Sequence, residues 1–243
     1  MINDQITIKC RNCNALIESK FCPECGQPAV MNRINRHYVI HEIEHLLHFE
    51  KGILYTVKEM LLRPGRSVRH FIEENRSRLV KPVIFIIITS LVYTVINHFF
   101  HIEEEYVQFE GNMPATSAMI NWFQAHYGYA NIIMGMVITM WTGFFFRKYG
   151  YNFYEILILL CFVMGMGMLI FALFAFLQGV THIKLMTVAG FVGIAYCSWS
   201  IGQFFERKTI NYLKALFAYM LGMITFIAVT AIIGASIDLI FKH

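Results

Sequence analysis

The chain has 243 residues, 57% hydrophobic and only 15% charged, with a formal net charge of +4. A soluble domain carries about 45–50% apolar and about 25% charged residues, so this balance excludes intrinsic disorder. The 16 glycines, 5 prolines and 6 cysteines likewise exclude a collagen or a disulfide scaffold.

The polar residues come first. Cys10-Arg11-Asn12-Cys13 is followed, after eight residues, by Cys22-Pro23-Glu24-Cys25 and Gly26. Two such pairs present four thiolates to one metal, which is the pattern of a structural zinc ribbon over residues 1–30. Four thiolates fill a tetrahedron and leave no position for a reactive water. So short a segment cannot build its own core, so metal binding would supply its folding energy. A rubredoxin-type iron centre uses similar ligands, and a pair of disulfides is the oxidised alternative. Thiols on the reducing side of a membrane stay reduced.

Residues 31–81 read as amphipathic and basic helices. His37, His41, His45 and His48 form one helical stripe, opposite Ile40, Ile43, Leu46 and Leu47. His41-Glu42-x-x-His45 matches the zinc metalloprotease pattern, with Glu42 as the base. A third ligand so close on the same straight helix fits tetrahedral zinc poorly. The same stripe could instead sense metal or pH, because histidine titrates near neutrality, or simply be the polar face of the helix. Ile53, Leu54, Val57, Met60 and Leu61 then make an apolar helical face. Arg63-Pro64-Gly65 predicts a break, and Ser67–Ser77 predicts a second short helix. Arg63, Arg66, Arg69, Arg76, Arg78 and Lys81 form a basic cluster suited to anionic lipid headgroups, each worth about 1 kcal/mol at the surface. Interleaved Glu50, Glu59, Glu73 and Glu74 argue against a nucleic-acid partner.

From residue 82 to 243 the chain predicts an all-α integral membrane domain of five helices. The expected spans are about 82–100, 129–146, 153–178, 183–205 and 212–240. Each is apolar all round, lacks a central charge and approaches the roughly 20 residues a bilayer requires. Eighteen of the 20 Lys and Arg fall before the first span or in the second-to-third and fourth-to-fifth connections. That bias predicts a cytoplasmic N-terminus and an external C-terminus. Residues 1–8 lack the apolar core of a secretory signal. Ala189 with Gly193 and Ala231 with Ala235 have helix-packing spacing. Cys161, Met164 and Met168 share a face of the third span, and Met134, Met136 and Met140 lie in the second. Such sulfurs are either core filler or soft ligands for copper(I).

Several stretches carry a family resemblance. They are Phe21-Cys22-Pro23-Glu24-Cys25-Gly26-Gln27, Phe49-Glu50-Lys51-Gly52-Ile53-Leu54-Tyr55-Thr56, Leu62-Arg63-Pro64-Gly65, Lys81-Pro82 and Tyr151-Asn152-Phe153-Tyr154-Glu155. In this order they resemble a bacterial membrane family catalogued as domain of unknown function 3667. The resemblance implies the same architecture and brings no activity. Members lack the His-Glu-x-x-His pattern, and where they carry a histidine after the glutamate of the last stretch, this chain has Ile156. The Arg-Pro step and five spans also resemble, in architecture alone, the Yip family of membrane-traffic scaffolds.

Three functions follow as expectations. The first is a non-enzymatic inner-membrane scaffold that docks a protein partner or anionic lipid, as a monomer or homo-oligomer. The second is a small transporter or channel, for a metal or a small apolar substrate. The third is a membrane metalloprotease.

Overall fold

The computed structural model describes residues 8–10, 13, 15–17 and 22–24, and residues 52–76, 78–102 and 114–241. The chain divides into two units, Met1–His48 and Phe49–His243. In the first, β1 (Ile8–Lys9) pairs antiparallel with β2 (Leu16–Ile17), in the register Ile8 opposite Ile17 and Lys9 opposite Leu16. The Cys10 amide donates to the Ala15 carbonyl at 2.8 Å and closes the turn between them.

The second unit is all helical. It opens with α1 (52–62) and α2 (Pro64–Glu73). Only Arg63 separates the two, so α2 begins three residues before the expected Ser67 and ends four before Ser77. Proline ends α1, yet its fixed φ and missing N–H suit the first position of the next helix.

Five helices follow that are long and apolar enough to cross a membrane. They are α3 (Pro82–Phe100), α5 (Tyr127–Phe145), α6 (Phe153–Thr181), α7 (Met186–Phe205) and α8 (Thr209–Phe241). Their bounds lie within about three residues of expectation. Three-residue shifts fall at the end of α6, the start of α8 and the start of α7, where Ile183–Leu185 stays non-helical and the Gln178 Oε1 atom accepts from the Leu185 amide at 2.8 Å.

A further helix, α4 (Pro114–Ala125), lies in the connection between the first two spans, where no helix was expected from the sequence. Only His126 separates it from α5, and it packs on the end of α8. There Asp238 Oδ2 accepts from both the amide and hydroxyl of Thr116, at 3.2 and 2.9 Å, and Phe123 contacts Phe226.

α6 is the axis of the bundle. It packs against α3, α5 and α7, and a continuous run from Leu159 to Met168 is buried. Asn152 and Glu155 form a reciprocal capping box at its start, which accounts for the Asn-x-x-Glu part of the stretch noted above. α3 and α8 leave large apolar side chains outward, including Leu91, Val95 and Phe99 on one and Ile232, Leu239 and Ile240 on the other. Such faces suit lipid. The bundle's own polar groups turn inward or onto their own helix: Thr139 donates to the Gly135 carbonyl at 2.7 Å, and Trp141 Nε1 to Thr225 at 3.0 Å.

Candidate anion site at the basic end

α2 lies across the ends of α6 and α7, at the end of the bundle that also carries Arg147, Lys148 and Lys208. The contact is close because Gly65 has no side chain. A Cβ there would stand 2.4–2.5 Å from the backbone of Gln203 and Phe204 in α7. Real Cβ atoms do not approach backbone so nearly, so the Arg-Pro-Gly sequence serves two steps. Proline opens α2, and glycine lets it touch α7.

One turn later, the Arg69 guanidinium donates to the Phe204 carbonyl and, at 3.4 Å, to that of Phe205, and it stacks 5.9 Å from the Phe204 ring centroid. The last carbonyls of a helix have no intrahelical donors and form the negative end of its dipole. The last turn of α7 contains no basic residue, so Arg69 brings the missing charge from another helix.

Other ties fix the pair. The Tyr196 hydroxyl of α7 donates to the Met60 carbonyl of α1 at 2.9 Å. Phe71 meets Phe162 edge to face at 5.4 Å between centroids. Within the pair, the Ser67 hydroxyl donates to buried Glu59 at 2.7 Å. Tyr151, just before α6, donates to Glu73 at 2.7 Å. Burial, and then the hydrogen bond to the Glu73 carboxylate, push the Tyr151 phenol up to about 12.

The folded state therefore holds this proton more tightly than the unfolded chain does. The resulting stability is complete below pH 10 and is lost as pH rises toward 12. Ultraviolet titration should show one late-titrating phenol outside the spans, brought closer to pH 10 by Glu73→Gln. An unchanged titration in that variant would contradict the assignment.

These helices enclose a cavity of about 280 Å³. Arg63, Arg66, Arg69 and Arg78 line it together with Glu59, Glu73, Glu74 and His70. Four guanidinium groups against three carboxylates leave the wall net positive. Most of these groups are engaged. Arg78 Nε donates to the Tyr55 hydroxyl at 2.6 Å, and His70 meets Glu74 at 2.7 Å. Arg63 and Arg66 make no side-chain hydrogen bond or ion pair among the described residues, and Arg69 Nε is buried without a partner.

Of the six basic residues expected at a lipid surface, four share this cavity. Arg76 and Lys81 are exposed and do not line it. Glu59, Ser67, Glu73 and Tyr151 were not foreseen as members. The signal for Glu59 is its place one turn from Thr56 and beside Met60 on the buried stripe of α1. The tie from Tyr151 crosses 78 residues and leaves no local pattern.

Beside this layer, Lys208 and then the Tyr149 hydroxyl hold Glu206 below the usual carboxylate range, at 2.8 and 2.9 Å. Asn211 donates to Tyr149 at 2.8 Å and ties the start of α8 into the group.

In the first unit, the sulfurs of Cys10, Cys13 and Cys22 lie within 4.8 Å of one another, and Cys13 and Cys22 are 3.5 Å apart. A disulfide requires about 2.05 Å. Tetrahedral thiolates at about 2.3 Å from zinc stand about 3.8 Å apart. The spacing therefore fits ligands around a metal ion. Cys25 lies outside the described residues, as do His37, His41, Glu42, His45 and His48.

No curated protein and no solved structure matches the chain. Residues 50–94 match the model of a family described as "Protein of unknown function (DUF3667)", a stretch that includes every residue lining the arginine cavity. Over α1, α2 and the first part of α3, the chain is thus similar to the DUF3667 family, in agreement with the resemblance read from its motifs.

Proposed function

We propose that this protein is a non-enzymatic membrane adaptor that binds the phosphate of an anionic lipid headgroup through α1 and α2. The observation that carries the reading is the arginine cavity, where Arg63 and Arg66 are unpaired among the described residues. Its volume, about 280 Å³, suits a headgroup better than a drug-sized ligand. Guanidinium groups bind phosphate in a fork geometry that lysine lacks. The bias of Lys and Arg toward this end supports a cytoplasmic face for it, in a bacterial inner membrane. In the same reading, Cys10, Cys13, Cys22 and Cys25 hold a structural zinc ion, and the ribbon so formed docks a protein partner.

Native mass spectrometry of the full chain, released from mixed phosphatidylglycerol and phosphatidylcholine micelles, tests the lipid part. Phosphatidylglycerol should be retained preferentially. Arg63→Gln with Arg66→Gln should lower that preference about tenfold or more, at about 1 kcal/mol per basic residue. Equal retention of the two lipids by the parent protein would sink the proposal.

A further inference from the structure

A second cavity, of about 220 Å³, lies inside the membrane bundle between α5, α6, α7 and α8. Sulfur comes to its wall from all four helices: Met134 from α5, Met164 and Met168 from α6, Cys197 from α7 and Met223 from α8. The wall contains no carboxylate, imidazole or cationic side chain. Its polar side chains are Asn131, whose amide faces Ser90 at 3.4 Å, and Tyr219.

Two glycines border the sulfurs at ordinary contact distance. Met164 Sδ sits 3.4 Å from where a Cβ of Gly135 would stand, and Cys197 Sγ 3.6 Å from that of Gly167. The grouping differs from the helical face expected from sequence. Cys161 does not line the cavity, and Cys197, from another helix, does. Met136 and Met140 are exposed on the outer face of α5, so the inward methionines are a distinct set.

We infer that this cavity binds a soft monovalent metal ion, of the copper(I) or silver(I) class, through methionine thioethers and Cys197. Thioether and thiolate sulfur select such ions, whereas magnesium, calcium and manganese require oxygen ligands that the wall lacks. Charge points the same way. The cost of placing an ion in a low-dielectric interior rises with the square of its charge, so a monovalent ion enters far more cheaply than a divalent one. On binding, Cys197 releases its proton to the buffer and the sulfur bonds the metal. One thiolate and one monovalent cation then cancel, and the thioethers add ligands without charge. No electron is transferred. The inference does not depend on the lipid proposal, since the two cavities share no residue.

The test uses the full chain in lipid nanodiscs, with Cys10, Cys13, Cys22 and Cys25 replaced by serine so that the ribbon cannot compete. Copper(I) is titrated against a chromogenic copper(I) chelator. One ion per chain should be retained, silver(I) should displace it, and the copper X-ray absorption edge should report a sulfur-only shell. Met164→Leu, Met168→Leu and Met223→Leu together keep side-chain volume. They should weaken retention by more than the roughly 10–100-fold that outer-shell changes cost. Cys197→Ser should weaken it separately. The proposal is overturned if the parent yields its copper to the chelator, or if the triple variant holds it as tightly as the parent. Should the triple variant fail to fold, nitrogen or oxygen donors in the parent's absorption spectrum would overturn it equally.

Discussion

Cys22→Ser is expected to unfold the first unit outright while leaving the thermal transition of the helical unit where it was. In the reading above, the four cysteines hold structural zinc, whose binding energy in such ribbons is about 10–16 kcal/mol and is also the folding energy. Among the described residues, no larger hydrophobic core stands behind it. Among the described residues of that unit, only Cys10 and Cys22 are buried, with Ala15 packed against them. The variant should purify without its zinc and be cut rapidly by trypsin after Lys9, and a chelator should do the same to the parent. If the variant retains one zinc per chain and resists trypsin, then the metal is held elsewhere or the unit folds without it.

Gly65→Ala should detach α2 from the bundle. The added methyl meets the Gln203 backbone at 2.4–2.5 Å, and backbone inside a packed helix cannot step aside. Overpacking alone costs about 1–3 kcal/mol. Moving α2 away also pulls Arg69 from the α7 carbonyls, and hydrogen bonds to charged groups are worth about 1.5–3 kcal/mol each. Because five of the residues lining the arginine cavity lie on α2, the lipid preference should fall along with stability. The readout is trypsin cleavage after Arg66 and Arg69, positions shielded when Gly65, Ser67 and Val68 are buried. Arg69→Met separates the two causes, since it removes the cap and leaves the glycine contact. A parent-like cleavage pattern in Gly65→Ala would refute the account of that contact.

The five spans were legible because lipid imposes a one-dimensional rule: about 20 apolar residues in a row, read directly from composition. The cysteine pairs were legible because ligand spacing is local. α4 was not. Pro114 and the apolar Ile120, Trp122 and Phe123 mark it faintly, and its partner on α8 lies more than a hundred residues away. The arginine cluster could be read as basic, but its division could not. Nothing near Arg69 in sequence says that it caps α7, while Arg63 makes no side-chain bond among the described residues. The sulfur cavity shows the same limit in reverse. Sequence groups Cys161 with Met164 and Met168 by helical phase, and only the packing of four helices exchanges it for Cys197.

The bond from Arg69 to Phe204 spans 135 residues, and it imposes an order on biosynthesis. Chains elongate at about 5–20 residues per second, so α2 leaves the ribosome roughly 7–27 seconds before the helix end that it caps. In that interval α1 and α2 have neither Gln203 to rest on nor carbonyls for Arg69. They have only an apolar face and a row of arginines, which under the proposed function would hold them at an anionic bilayer surface. When α7 arrives, Arg69 finds its carbonyls, while Arg63 and Arg66 make no side-chain bond among the described residues. Completion of the fourth span is thus recorded by the segment that precedes the first.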